Sequence, residues 1–392
     1  MVVQGLICVV GIGTAYADAP APKWYDTIGL SGYLQSSYVG NLEDSSHNQS
    51  NVGRQFDTNG NSFSLNTFLL QIAKPVGDSD HYGFAVKLRA GSDAAALPGS
   101  NGSDFAVQEA YMTYAATSKL QIIGGRFVTS EGVEVVDTIN NPNFSEGLLF
   151  TWLEPISHTG VKAVYTFNDK VNATIGVVNG WNVATDNNSQ KTMIWQVATT
   201  PTKKTSWSFE GTYGNELAQP AVVPGTNPAV PAPAAADHAD KLSLDTVAGY
   251  NPTDKLSLNA QLNWYEQTND PAVVASDLGK SVGTTHATGA GIWVSYATTS
   301  KFTEIIRYEV LSDENGANVF PGGPFGNEPS PGTSTNQTVQ EFTLTHKTML
   351  TANLGTRLEY RHDWSNEASF VRSDGTNVRN QNTISADWFV TF

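Results

Sequence analysis

The chain has 392 residues, 40% of them hydrophobic and 15% charged, with a formal net charge of −15. No stretch approaches the ~20 apolar residues of a membrane-spanning helix, and the acidic balance argues against nucleic acid as a partner. The length would suit two or three soluble domains, yet no break in pattern separates them, so one domain is expected over residues 18–392.

The one apolar run comes first, at residues 5–13, and leads into Ala15-Tyr16-Ala17 just before Asp18. That small-x-small ending reads as a signal peptide over residues 1–17, although the basic start of such a leader is missing. Cys8 is the only cysteine and lies inside this leader. The mature chain would then hold neither a disulfide nor a thiolate–metal framework. Ile7 is too large for the residue that precedes a lipoprotein cysteine.

About sixteen segments of roughly ten residues follow, each alternating apolar and polar side chains, the length and even number of an outer-membrane barrel. Around residues 84–89, Phe84, Val86 and Leu88 oppose Lys87 and Arg89. Around 256–265, Leu256, Leu258, Ala260, Leu262 and Trp264 oppose Ser257, Asn259, Gln261 and Asn263. Around 350–361, Leu350, Ala352, Leu354 and Leu358 oppose Thr351, Asn353, Arg357 and Glu359. In the last segment, Ile384, Ala386, Trp388, Val390 and Phe392 oppose Ser385, Asp387 and Thr391, with Phe389 the apolar exception. Faces that differ this way meet different solvents, read here as lipid outside and water inside. Segments 62–74 and 120–127 switch phase midway, which predicts a bulge or a shifted boundary.

A soluble sheet with one wet face also alternates. Two further patterns separate it from a barrel. Connections alternate between short (Thr117-Ser118, Asn168-Asp169, Pro201-Thr202, 251–254, 298–300) and long (39–61, 128–157, 214–240, 267–284, 311–336, 362–380). Short inner turns with long outer loops are the asymmetry of an outer-membrane barrel. Aromatics also gather at both strand ends. Tyr114, Phe167, Tyr250, Tyr296 and Phe392 precede short turns or the terminus; Tyr38, Phe127, Tyr213, Tyr265, Tyr308 and Tyr360 precede long loops. Two aromatic girdles at the two membrane interfaces explain that placement. The expected fold is all-β: a transmembrane antiparallel up-and-down β-barrel of about 16 strands, with both termini in the periplasm. The Pro- and Ala-rich stretch 217–236 reads as a loop tip.

The third long loop, 128–157, is too long to be an idle connection. It carries Glu131, Glu134, Asp137, Glu146 and Glu154. Folded into the lumen, these acids would face inward bases on the wall, namely Lys87, Arg89, Lys162, Arg307 and Arg357, with Arg126 at the loop's root. Such an arrangement sets a transverse field across a constriction. The alternative leaves the acids solvated on the outer surface.

The same region carries an ordered set of motifs: Gly125-Arg126-Phe127, Gly132, Glu134, Asn143, Ser145, Leu149-Phe150, His158-Thr159-Gly160, Asn179-Gly180-Trp181 and Asp186-Asn187-Asn188. Over residues 105–215 this order resembles the β-barrel porin-2 family of OmpL-like outer-membrane porins. The rest of the chain matches by strand pattern only. The resemblance implies an outer-membrane channel for small solutes. It also implies a basic residue after Ser145, where this chain carries Glu146, which changes the charge expected at the constriction.

The remaining motifs point to little chemistry. Ser157 and His158 are adjacent, so on a strand they face opposite sides and cannot serve as nucleophile and base. His158 is expected instead to give a structural hydrogen bond where the loop returns. The seven histidines lack paired ligand spacing, so neither metal nor cofactor is expected. Asp186-Asn187-Asn188 reads as a polar turn, and Asn179-Gly180-Trp181 as a strand end with an interfacial Trp. Gly124-Gly125 lacks the following Lys-Ser/Thr helix of a phosphate loop. The segment 18–26 is too short for a plug domain.

The functional expectation is a porin, not an enzyme, for passive diffusion of small hydrophilic solutes or ions. Rival readings are a substrate-selective channel, in which lumen aromatics such as Tyr33 would matter, a closed-barrel enzyme or adhesin, and a soluble secreted β-protein. Expected partners are small solutes, outer-membrane lipid and lipopolysaccharide, and sister copies in a homotrimer. The barrel-assembly machinery would read Trp388, Val390 and Phe392.

Overall fold

A computed structural model describes residues 24–43, 51–77, 80–186, 188, 190–216, 239–268, 284–314 and 336–392. The expected leader with Cys8, the stretch 217–236 and Asn187 lie outside these residues.

Sixteen strands form a closed antiparallel barrel. The first half comprises β1 (Gly29–Asn41), β2 (Ser62–Lys74), β3 (Tyr82–Ala90), β4 (Phe105–Ala115), β5 (Leu120–Val128), β6 (Ser157–Asn168), β7 (Val171–Val178) and β8 (Thr192–Thr202). The second comprises β9 (Thr205–Asn215), β10 (Asp240–Thr253), β11 (Leu256–Gln267), β12 (Thr285–Ala297), β13 (Phe302–Glu314), β14 (Gln337–Met349), β15 (Leu354–Ser365) and β18 (Asn380–Thr391). The short strands β16 (Phe370–Val371) and β17 (Asn377–Val378) pair within the last long loop. Each barrel strand pairs with its neighbours in sequence, and β18 closes on β1 in the register Tyr33↔Thr391.

Closure leaves no sheet edge, which a lipid environment demands of every strand. The alternation then sorts side chains by solvent. On β13, Ile306 is exposed while Arg307 and Glu309 are sealed inside. Met112, Leu262 and Ile175 stand among the exposed apolar residues of the outer wall. The last strand follows the sequence reading, with Ile384, Trp388, Val390 and Phe392 outward and Asp387 buried. Phe389 turns inward, and its ring lies under the Arg357 guanidinium at 5.5 Å.

Four expectations change. Phe127 and Tyr265 do not belong to the outer girdle: both are inward and buried, because parity along the strand, not nearness to its end, sets the face. The turn expected at Pro201-Thr202 falls two residues later, at 203–204, since β8 runs through Thr202. The bulge expected in segment 62–74 is present, where the β1–β2 register shifts between Gln35 and Ser36. Segment 120–127 instead pairs in continuous register with β4 and β6, and the nearby shift lies on the β3–β4 ladder, between Lys87 and Leu88. Two further long connections, 91–104 and 179–191, are present, and the first of them makes 129–156 the third long loop (L3).

L3 enters the barrel. It contains helix α1 (Leu148–Leu153), whose Leu148, Leu149 and Leu153 pack with Tyr265, Ala287, Trp293, Leu311, Val339 and Phe370 in an apolar cluster inside the barrel. Full burial of each leucine contributes about 1.5–3 kcal/mol. Phe370, from the β16–β17 hairpin, caps this cluster. The helix can approach the wall because β12 presents Gly289 and Gly291 there. A Cβ on Gly291 would meet Trp293 at 2.6 Å and Leu149 at 3.0 Å, and one on Gly289 would meet Leu153 at 2.7 Å.

Candidate functional site

L3 leaves β5, crosses the lumen and returns to β6. Its neck is closed by the Thr129 amide donating to the Ile156 carbonyl at 3.1 Å. The first limb is stitched to β10 and β11. The Gly132 amide donates to Asp245 at 3.3 Å, the Val133 amide donates to Gln261 at 2.9 Å, and the Ser243 hydroxyl donates to Glu131 at 2.6 Å.

The loop then reaches β3 and β4. Asp137 receives Lys87 at 2.6 Å, Arg89 at 3.0 Å and Gln108 at 2.8 Å. Arg89 also donates to the Val136 carbonyl at 2.9 Å and to the Tyr33 hydroxyl at 3.0 Å. Tyr33 is thereby buried and hydrogen-bonded, and presents no free face for stacking a solute.

Further along, L3 meets β13–β15. Arg357 donates to the carbonyls of Thr138, Asn141 and Asn143 at 3.0, 3.1 and 2.6 Å, while Asp387 holds its other side at 2.9 Å. Glu359 accepts from the Phe144 and Ser145 amides at 2.7 and 3.1 Å. Arg307 bridges Glu134 at 2.6 Å and Glu341 at 2.9 Å. The start of α1 is capped by two carboxylates, Glu134 on the Gly147 amide at 2.6 Å and Glu309 on the Leu148 amide. Anionic groups at a helix start satisfy its free amides. Arg361 donates to the Glu146 carbonyl at 2.5 Å.

All five acids expected in the constriction loop are inside the barrel and buried. Their surroundings differ. Burial favours the neutral form of Asp137, but the Lys87 and Arg89 charges override it and hold the carboxyl below its ordinary range. Burial pushes Glu131 up to about 8, with Asp245 adding to the rise and the Ser243 hydrogen bond opposing it. Burial raises Glu146 well above the ordinary range, helped by Glu134, Asp57 and Asp93. Glu154 is raised well above it by burial and by Asp245. Where the resemblance implied a base, Glu146 therefore sits among acids, and its Oε1 has no hydrogen-bond partner.

Five of the six expected wall bases face the lumen. Lys87, Arg89, Arg307 and Arg357 touch L3 directly, and Lys162 lies with its ammonium 4.1 Å over the Phe127 ring. Arg126 is a correction. It pairs with Ala110 and Thr159 on the outward register of Ile122 and Gly124, and donates to the Pro98 carbonyl of the second long loop. His158 is buried against Phe127 at 6.3 Å between ring centroids and hydrogen-bonds the Gly180 backbone. Trp181 is no interfacial residue. Gly180, at φ +153°, turns the chain so that Trp181 packs edge-on to Tyr265 at 5.7 Å, with Lys241 4.8 Å over its ring.

Sequence reading missed several participants. Arg361 shares the parity of Arg357 and was within reach of the strand pattern. Arg54, on the first long loop, binds Asp363 at 2.7 Å and gave no signal, because loops carry no periodicity. Glu210 and Asp245 lie on β9 and β10 with inward parity beside L3.

The family model described as beta-barrel porin-2, OmpL-like, matches residues 27–392. A search of curated proteins returns no match. Among solved structures, the anion-selective porin from Comamonas acidovorans superposes with a TM-score of 0.60 at 11% identity, over 93% of this chain and 99% of that one. The outer-membrane channel DcaP of Acinetobacter baumannii gives 0.56 at 12% identity, over 93% and 97%. A trimer form of the Vibrio cholerae outer-membrane protein OmpT gives 0.59 at 12% identity, over 93% and 99%. At such identities these likenesses speak for the fold alone.

Proposed function

Since this chain belongs to the β-barrel porin-2 family of OmpL-like porins and is an outer-membrane porin, we propose that it passes small hydrophilic solutes and ions by passive diffusion, with L3 as the constricting element. The observation that carries this reading is the stitching of L3 across the lumen, from Ser243 on β10 to Lys87 on β3 and Arg357 on β15. A loop held at so many points narrows the passage and keeps one shape, the requirement for a size limit. The same density favours a narrow passage over a wide one. On the β13–β3 side, Gln35, Arg307, Thr343, Thr345, Arg357 and Asp387 are fully covered. Toward β5–β9, Ile123, Lys162, Thr174, Gln196 and Ser208 keep partial exposure. Solutes would pass along that second side.

Three associated roles follow from the same reading. Residues 1–17 would be removed as a leader on export. Trp388, Val390 and Phe392 stand exposed on the outer face of the closing strand, where the assembly machinery would take hold. A homotrimer is the expected assembly, as in the trimer form of Vibrio cholerae OmpT, with lipid and lipopolysaccharide around it.

The test is single-channel recording of detergent-purified protein in a planar bilayer, combined with liposome swelling in sugars of increasing size. Discrete openings with a sharp size cut-off are expected. Silence from folded protein would overturn the reading.

A further inference from the structure

The bases and acids of the lumen are distributed unevenly. On the β13–β3 side, inward guanidinium and ammonium groups have carboxylates at ion-pair distance: Arg307 has Glu134 at 2.6 Å, Arg361 has Asp363 at 2.7 Å, Arg357 has Asp387 at 2.9 Å, and Lys87 has Asp137 at 2.6 Å and Glu109 at 2.8 Å. These charges cancel within each contact, so little field from them reaches a passing ion. On the β9–β11 side the situation is reversed. Glu131 and Glu154 of L3 meet Glu210 of β9 and Asp245 of β10, and among the described residues no ion pair reaches any of the four.

Their neighbours are neutral donors. Gln261 donates to Glu154 at 2.5 Å and to Asp245 at 2.7 Å; Asn263 donates to Asp245 at 2.7 Å; Gln196 donates to Glu210. The Glu210 and Asp245 carboxyls are themselves in hydrogen-bond contact. A second observation is independent of the clustering. Glu131 is 3% exposed and Glu154 is 3% exposed, yet Glu131 Oε1 and Glu154 Oε2 have no hydrogen-bond partner. A buried carboxylate oxygen without a donor carries a large desolvation cost that a cation removes. Glu131 and Gln196 also border a cavity shared with Thr129, Ser130, Lys162 and Thr174, which lies on the partly exposed side of the lumen.

We propose that Glu131, Glu154, Glu210 and Asp245 form a cation-selecting filter, and that small hydrated cations are the preferred permeants of this porin. The proposal rests on the diffusion-channel reading above and names its permeant class. Cancellation on one wall and carboxyls without a cation on the other leave a one-signed potential along the open crescent once those carboxyls are ionised, and ions of the opposite sign concentrate there. Lys162 opposes this field from the same cavity, with its charge shared by the Phe127 ring.

The test is the reversal potential of single channels under a KCl gradient. Wild-type channels are expected to prefer potassium at pH 9, where the Glu131 carboxyl is ionised. Replacing Glu131→Gln together with Asp245→Asn should lower the potassium-to-chloride permeability ratio at that pH by roughly fivefold for each unit charge lost, the weight of one charge at ~4 Å in a water-like dielectric. Lys162→Gln should raise it. Chloride preference in the wild type, or an unchanged ratio in the double variant, would overturn the inference and leave the porin reading standing. Absence of openings from folded wild-type protein would remove both. Should the double variant fail to fold, Mg²⁺ added to wild-type channels decides: block of the potassium current supports the filter, and its absence overturns it.

Discussion

The Arg357 guanidinium is held in plane by Asp387 on the adjacent strand, with Nη2 2.9 Å from Oδ2 and Nε 3.1 Å from Oδ1, so that its Nη1 edge points at three carbonyls of L3. The bidentate pair orients the donor before the loop arrives. Replacement by glutamine leaves Asp387 buried without its cation and frees the turn at 138–143. Arg357→Gln should cost about 3–5 kcal/mol of stability and enlarge single-channel conductance. Conductance histograms and thermal unfolding followed by gel mobility check both arms, and unchanged conductance would show that L3 is moored elsewhere.

Gly291 is the second mooring. Gly291→Val would drive its side chain against Trp293 and Leu149, both fully buried. Overpacking of this kind costs about 1–3 kcal/mol. The barrel hydrogen bonds are untouched, so the strain is expected to eject α1 and not to unfold the wall. Protease cleavage within 147–156 should appear in the variant while the barrel stays resistant.

Glu131 gives L3 a pH dependence with a defined sign. Its carboxyl is raised to about 8 by burial, against an ordinary value of about 4.5, so the docked loop binds a proton that the undocked loop releases. The stabilisation is complete below pH ~4.5 and is lost as pH rises through ~8. Around it stand Asp245 and Ser243 of β10, Glu210 of β9 and Glu154 of L3, and charging Glu131 adds to an already acidic surround. Raising pH from 6 to 9 should therefore increase both conductance noise and cation preference, and Glu131→Gln should reduce the change. A flat profile in wild-type recordings would sink this account.

Asp137 works in the opposite direction. It pairs with Lys87 and Arg89 at once, at 2.6 and 3.0 Å. Asp137→Asn keeps the shape and leaves Arg89 less compensated, so selectivity should move toward anions. The reversal potential measures it, and movement toward cations would contradict the pairing described here.

Phe392 closes the barrel. Its amide donates to the Gly32 carbonyl at 3.0 Å, its own carbonyl accepts from the Gly32 amide at 2.9 Å, and its ring stacks on Phe68 at 6.3 Å. Deleting Phe392 should reduce the yield of heat-modifiable folded protein in outer-membrane fractions. Normal yield would mean that neither the seam nor the assembly signal depends on this residue.

Parity made most of the wall legible. Phe84 against Lys87, or Leu358 against Arg357, is decided within a few residues, because a strand's alternate side chains face alternate solvents. Arg126 could have been placed by the same rule, since it follows Ile122 and Gly124 at steps of two. It was misread because its nearness to the loop was given more weight than its phase. Tyr265 and Phe127 were misread for the same reason. Arg54, by contrast, had no phase to read.

The sequence by itself determined the barrel, its sixteen strands, its alternating turn lengths and the presence of a long acidic third loop, since each of these is a local pattern repeated along the chain. Only the tertiary structure decided which acids meet bases. Glu134 finds Arg307 across 173 residues, while Glu131 meets Ser243 and no cation. Charge pairing falls with distance in space and is indifferent to distance in sequence. The balance between a neutralised wall and an acidic one therefore exists only once closure has set opposite strands face to face around the loop.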